Sequence, residues 1–130
     1  ESLGILDKVV FAGHREDVAR LLSAFDLFVL SSDLEGYPIS VAEAMAAGCP
    51  VVCTDSGGVR EIVTSDKEGI LVPVEDSENF RNTVGDLLDN ADQRRSLGES
   101  GRESVRKKWG VKVMADSVLN LYTRLLIALD

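Results

Sequence analysis

The chain has 130 residues, enough for one hydrophobic core and short for two. It carries 22 acidic against 14 basic residues, and its net charge of -8 argues against nucleic acid or an anionic membrane surface as the default partner. One histidine and two cysteines present no metal-ligand set, no apolar run approaches transmembrane length, and no signal peptide is visible.

In chain order, a polar lead-in reaches Lys8, and Val9-Val10-Phe11-Ala12 follows as an apolar run ending at Gly13. It is predicted to be a buried parallel strand. After His14-Arg15-Glu16, Asp17 is placed to cap a helix with Val18, Leu21, Leu22 and Phe25 on one face. A second strand is expected over Leu27–Leu30 and a third over Val51–Thr54. Between them lies one helix, Ile39 to Ala47, entered through Pro38 and closed by Gly48, with Pro50 just beyond. It is Ala, Val and Met on nearly every side, so it is expected to be buried all round. Its one charge, Glu43, then needs a hydrogen-bonding partner in a cleft.

Asp55-Ser56-Gly57-Gly58 reads as a tight turn into a short helix holding Val59, Ile62 and Val63. A fourth strand, Gly69–Val72, stops at Pro73. From Ser77 onward the pattern is helical, with three stripes: Phe80, Val84, Leu87 and Leu88; then Leu97, Val105 and Trp109; then Met114, Val118, Leu121, Leu125 and Leu129. These helices are expected to cover the sheet and brace its end. Arg94, Arg95, Arg102, Arg106, Lys107 and Lys108 read as a solvated face. Cys49 and Cys53 read as buried small hydrophobes in a reducing, cytoplasmic setting.

Strand and helix alternate as in repeated βαβ units, which predicts an α/β, Rossmann-like parallel sheet with C-terminal helices. Right-handed crossovers then bring the loops at Gly13–Arg15, Ser31–Tyr37 and Asp55–Arg60 to one rim. Helix starts at such a rim bind anions. Glu43 reads either as half of an ion pair with Arg60 or as an acceptor for ligand hydroxyls such as those of a ribose, and its position favours the second. Glu35 is either an ordinary loop acid or an acceptor for a sugar-like ligand, with the Gly36 and Tyr37 amides donating to an anion. Gly57 and Gly58 serve a positive-φ turn or a close ligand approach. His14 has no acid partner at a suggestive spacing and is not read as a catalytic base.

The run E-G-Y-P-I-S-V-A-E-A-M-A-A-G-C-P-V-V, Glu35 to Val52, carries two acids in the pattern E-x7-E. Before it stand V-V-F-A-G-H-R-E-D-V and D-L-F-V-L-S-S; after it come T-D-S-G-G-V-R-E-I-V and G-I-L-V-P. In this order and spacing the series resembles the donor-binding domain of retaining, group 1 or family 4 glycosyltransferases of two-domain GT-B architecture. The resemblance runs from about Asp7 to the last helix. It implies transfer of a sugar from a nucleotide diphosphate sugar to an acceptor that the sequence does not name, with retention of anomeric configuration and without metal or other cofactor. Glu35 would be the catalytic residue, holding the donor sugar and its diphosphate with the Gly36 and Tyr37 amides. Gly13, His14, Arg15, Glu35, Gly36, Tyr37, Pro38 and Glu43 would bind the donor, with Glu43 at the ribose and Gly13–Arg15 beside the base. Gly57, Gly58 and Arg60 would stand behind them.

The resemblance also implies that two βα units and a whole N-terminal domain lie outside this sequence, which begins at Glu1 rather than Met. The chain is therefore expected to be an excerpt, inactive alone. Its sheet should have a gap where the family's central strand belongs, between Val9–Ala12 and Leu27–Leu30. The last helix, Lys112 to Leu129, would pack on the absent domain or another chain, leaving Leu and Met exposed here. Peripheral membrane association through the absent domain is compatible with this. The alternatives are a non-catalytic Rossmann-like interaction module, and an epimerase or phosphorylase sharing the architecture.

Overall fold

The computed structural model describes residues 3–127. Its elements in chain order are a 3₁₀ turn at Leu6–Lys8, α1 (Val18–Leu22), β1 (Phe28–Leu30), α2 (Ile39–Ala47), β2 (Val51–Thr54), α3 (Val59–Ile62), β3 (Ile70–Val72), α4 (Ser77–Asp89), α5 (Ala91–Trp109) and α6 (Val111–Ile127). The strands form one parallel sheet in the order β1-β2-β3. Phe28 pairs with Val51 and Val52 with Ile70, so all three strands end on the same rim. The fold is α/β and Rossmann-like.

Both faces of the central strand are buried, and its side chains alternate between two cores. Val51 and Cys53 join Val41, Ala44, Met45, Val59 and Ile62 on one side. Val52 joins Val72, Leu87 and Leu97 on the other. Helix α2 ends as its sequence demands: Gly48 takes φ 81°, its N–H donates to the Met45 carbonyl, and the Cys49 N–H donates to that of Ala44. Asp76 and Asn90 cap α4 and α5 through the amides of Asn79 and Gln93. The Arg94 guanidinium closes the far end of α4 by donating to the carbonyls of Leu87 and Leu88. That cation of the supposed solvated face is thereby a helix cap.

Four expectations need correction. Val9–Ala12 is not a strand: among the described residues it pairs with nothing, and Val10 and Phe11 are 88% and 87% exposed. An apolar run becomes a strand only when a neighbour accepts its ladder, and the outer edge of β1 has none. Helix α1 stops at Leu22, leaving Phe25 outside it, as the amides of Ala24 and Phe25 turn to the carbonyls three residues back, those of Leu21 and Leu22. Asp17 precedes that helix but does not cap it; its carboxylate accepts two hydrogen bonds from Arg15, at 2.7 and 2.8 Å, which pull it below the usual carboxylate range.

Helix α2, finally, is not buried all round. Val41, Ala44 and Met45 point into the core while Ile39, Ser40, Glu43 and Ala46 are exposed. Alanine fits either environment, so an Ala-rich helix hides which side is open.

Burial has a measurable consequence at the cysteines. It pushes the Cys49 thiol up to about 11 and, with the added negative charge of Glu35, the Cys53 thiol up to about 12. An unfolded thiol titrates near ~8.5. The stability tied to both thiols is therefore complete below that pH and is lost as pH rises toward their folded values. Denaturant titrations should show stability falling above about pH 9. Iodoacetamide at pH 8 should label neither cysteine until the chain unfolds.

Candidate functional site

The rim is built from two loops held in one backbone contact. Strand β1 releases the chain at Ser31, and the loop to Tyr37 climbs over the end of β2. Thr54, the last residue of β2, is buried and donates its hydroxyl to the Ser32 carbonyl at 2.5 Å. The second loop turns at Gly57, with φ 50°, and Gly58 donates its N–H to the carbonyls of Gly36 at 3.0 Å and Glu35 at 3.3 Å. A Cβ on Gly57 would lie 1.7 Å from the Glu35 carbonyl oxygen, and one on Gly58 would lie 2.1 Å from that of Gly36. The two glycines therefore exist here to let backbone meet backbone. They hold Glu35 and Gly36 in place.

Pro38 is buried at the N-cap position of α2, directly behind Tyr37. Glu35 is half-buried, and its charge reaches Cys53 at the end of β2. Burial and the Glu61 carboxylate together raise the Tyr37 phenol above its ordinary value. Glu43 stands one turn further along α2, exposed and, among the described residues, in no ion pair. Beside it runs an open groove of about 240 Å³ between α1 and α2, lined by Ala19, Ala46 and Ala47. Arg60 pairs with Asp55 instead of Glu43. The structure thus brings Glu35, Gly36, Tyr37, Pro38, Gly57 and Gly58 together, with Glu43 on the adjoining helix. Gly13, His14 and Arg15 lie on an exposed stretch, where Arg15 is engaged by Asp17.

Two contributors escape a reading by residue type. Thr54 sits inside the T-D-S-G-G run, but only the fold shows its hydroxyl crossing to the neighbouring loop. Trp109 reads as part of a core stripe, yet its ring meets that of Tyr37 edge-on, with centroids 5.8 Å apart and planes at 72°. No group of three or more His, Cys, Asp or Glu side chains suited to a metal occurs among the described residues. No helix among them is long and apolar enough to cross a membrane.

An amide-lined helix start flanked by two acids can hold an anion and accept from hydroxyls at once. Comparison with known proteins shows the family. Residues 1–104 match the family described as "Glycosyl transferases group 1". N-acetyl-alpha-D-glucosaminyl L-malate synthase of Bacillus anthracis is 32% identical over 122 residues, 94% of this chain and 32% of that protein. Sucrose-phosphate synthase from Thermosynechococcus elongatus superposes with a TM-score of 0.86 at 32% identity, over 95% of this chain and 32% of that one. A TarM mutant of S. aureus, solved in complex with fondaparinux, alpha-GlcNAc-glycerol and UDP, superposes at 0.80 with 25% identity, over 91% and 24% of the two chains. The chain spans about a third of the length of the curated relatives it matches. With the family's pattern matched along most of the sequence and its architecture reproduced in the fold, the chain belongs to the group 1 glycosyl transferases.

Proposed function

We propose that this chain is the donor-side part of a larger GT-B transferase that moves a sugar from a nucleotide diphosphate sugar to an acceptor with retention of anomeric configuration. The observation that carries the reading is the Glu35–Tyr37 segment, fixed by Gly58 at the start of α2, with an unpaired Glu43 one turn on. In this reading the Gly36 and Tyr37 amides and the start of α2 hold the diphosphate, Glu35 faces the sugar, and Glu43 accepts from the ribose hydroxyls. Gly13, His14 and Arg15 flank the base. The UDP bound to TarM supports a nucleoside diphosphate as the leaving group.

Titrating UDP-sugars into the full-length transferase and its Glu43→Ala variant tests this. A charged acceptor lost from ligand hydroxyls should weaken nucleotide binding by about 10- to 100-fold. Because Glu43 is exposed and unpaired, stability should change by less than about 0.5 kcal/mol. Equal nucleotide affinity in the two proteins would remove the ribose role.

A second reading, a non-catalytic interaction module, draws on α6, which has no buried residue and exposes Met114, Leu119, Leu121, Tyr122, Leu125 and Leu126. A full-length protein that oligomerises through this helix and transfers no sugar would favour it.

A further inference from the structure

We propose that Trp109 is a positioning residue for the donor loop: by bracing Tyr37 from the side it holds Glu35, Gly36 and Tyr37 in their binding conformation. The inference deepens the donor-site reading and rests on it.

Its basis is the path of α5. This helix runs antiparallel to α2 and so close that small residues face it. Gly98 lies against the Gly48 carbonyl at the floor of the sheet, and Gly101 lies against Met45 one turn higher. At the top, Trp109 meets Tyr37, the residue just ahead of the α2 start. With 19 residues α5 reaches roughly 28 Å, enough to carry a ring from the strand starts to the rim.

The end of α5 is anchored independently. Lys108 donates to the Thr64 hydroxyl at 2.6 Å and pairs with Glu68 at 3.4 Å. The indole therefore stands on a fixed backbone. Tyr37 and Trp109 remain 42% and 45% exposed, which is unusual for a pair whose only purpose is core packing. Gly58 secures Glu35 and Gly36 through their carbonyls, but Tyr37 has no comparable backbone tie to that turn. The edge contact supplies the missing restraint on the side chain that leads into α2.

The test uses the full-length transferase as wild type, Trp109→Ala, Trp109→Phe, Tyr37→Ala and the double variant. Amide hydrogen exchange at Gly36 and Tyr37 is followed without nucleotide, and UDP binding by calorimetry. Trp109→Ala should speed exchange at those amides and weaken UDP binding by about three- to tenfold. Trp109→Phe should restore most of both. Adding Tyr37→Ala to Trp109→Ala should cost little more, since one acts through the other. Should Trp109→Ala fail to fold, Trp109→Leu carries the comparison. Unchanged exchange in the variants, no rescue by phenylalanine, or fully additive losses would overturn the proposal. If wild type itself binds no UDP, the donor-site reading fails, while the exchange data still decide whether Trp109 restrains the loop.

Discussion

Gly57→Ala is expected to displace the Glu35–Gly36 loop and to lower stability by about 2–4 kcal/mol. Two costs combine. The residue sits at φ 50°, where a side chain is strained, and the new methyl would fall 1.7 Å from the Glu35 carbonyl oxygen and 2.8 Å from its carbon. Those neighbours are backbone, so they cannot swing aside as the tip of a lysine would.

Gly58→Ala faces the same obstacle at 2.1 Å from the Gly36 oxygen, with no positive φ to add to it. Gly13→Ala separates the two costs, because Gly13 has φ 64° and nothing within 4 Å. It should lose only the strain, about 1–2 kcal/mol. Thermal denaturation of the three variants should rank Gly57→Ala lowest and Gly13→Ala highest. Nucleotide affinity should fall more than tenfold for Gly57→Ala and Gly58→Ala, since both move the amides assigned to the diphosphate. A Gly57→Ala protein that melts and binds UDP like wild type would show that the two loops do not depend on each other.

Glu35→Ala should abolish most sugar transfer while leaving the fold intact. In the proposed role, a fixed carboxylate facing the sugar would stabilise charge that develops only as the glycosidic bond breaks, so kcat should drop by about 10²- to 10³-fold with a much smaller change in KM. The side chain is half-buried and, among the described residues, in no ion pair, so little packing is lost. Glu35→Gln carries an internal control. Removing the negative charge should lower the Cys53 thiol from about 12, because that charge adds to burial in raising it. The pH dependence of the Cys53 Cβ chemical shift in the folded protein reads this, whether or not transfer survives. Transfer by Glu35→Ala within about threefold of wild type would exclude Glu35 from the chemistry.

The elements with strong local signals are legible in the sequence alone. Helix α2 begins and ends at the residues its Pro38 and Gly48 mark, and Val51–Thr54 is a strand to the residue. Local backbone chemistry determines such boundaries. The strand predicted at Val9–Ala12 failed because pairing is not local. Apolar residues with no adjacent ladder stay exposed, and the resemblance implied a missing strand between this segment and β1, the neighbour it would pair with. The stripe of α6 reads as a packed face, yet its apolar residues are exposed and none is buried among the described residues.

At the site, residue types along the sequence identify which groups are candidates: two acids with seven residues between them, a glycine pair, and a helix start between strands. They do not say what those groups touch. The pairing of Arg60 with Asp55, the exposure of Glu43, the grip of Gly58 on Glu35 and Gly36, and the meeting of Tyr37 with Trp109 all join residues whose proximity depends on how helices pack across the sheet. Composition, capping and periodicity thus determined the class of fold and two of the three loops expected at the rim. Which glycine faces backbone, which acid stays free and which aromatic braces the loop were decided by tertiary packing, because a contact across the sheet is a property of two segments together and is encoded in neither one alone.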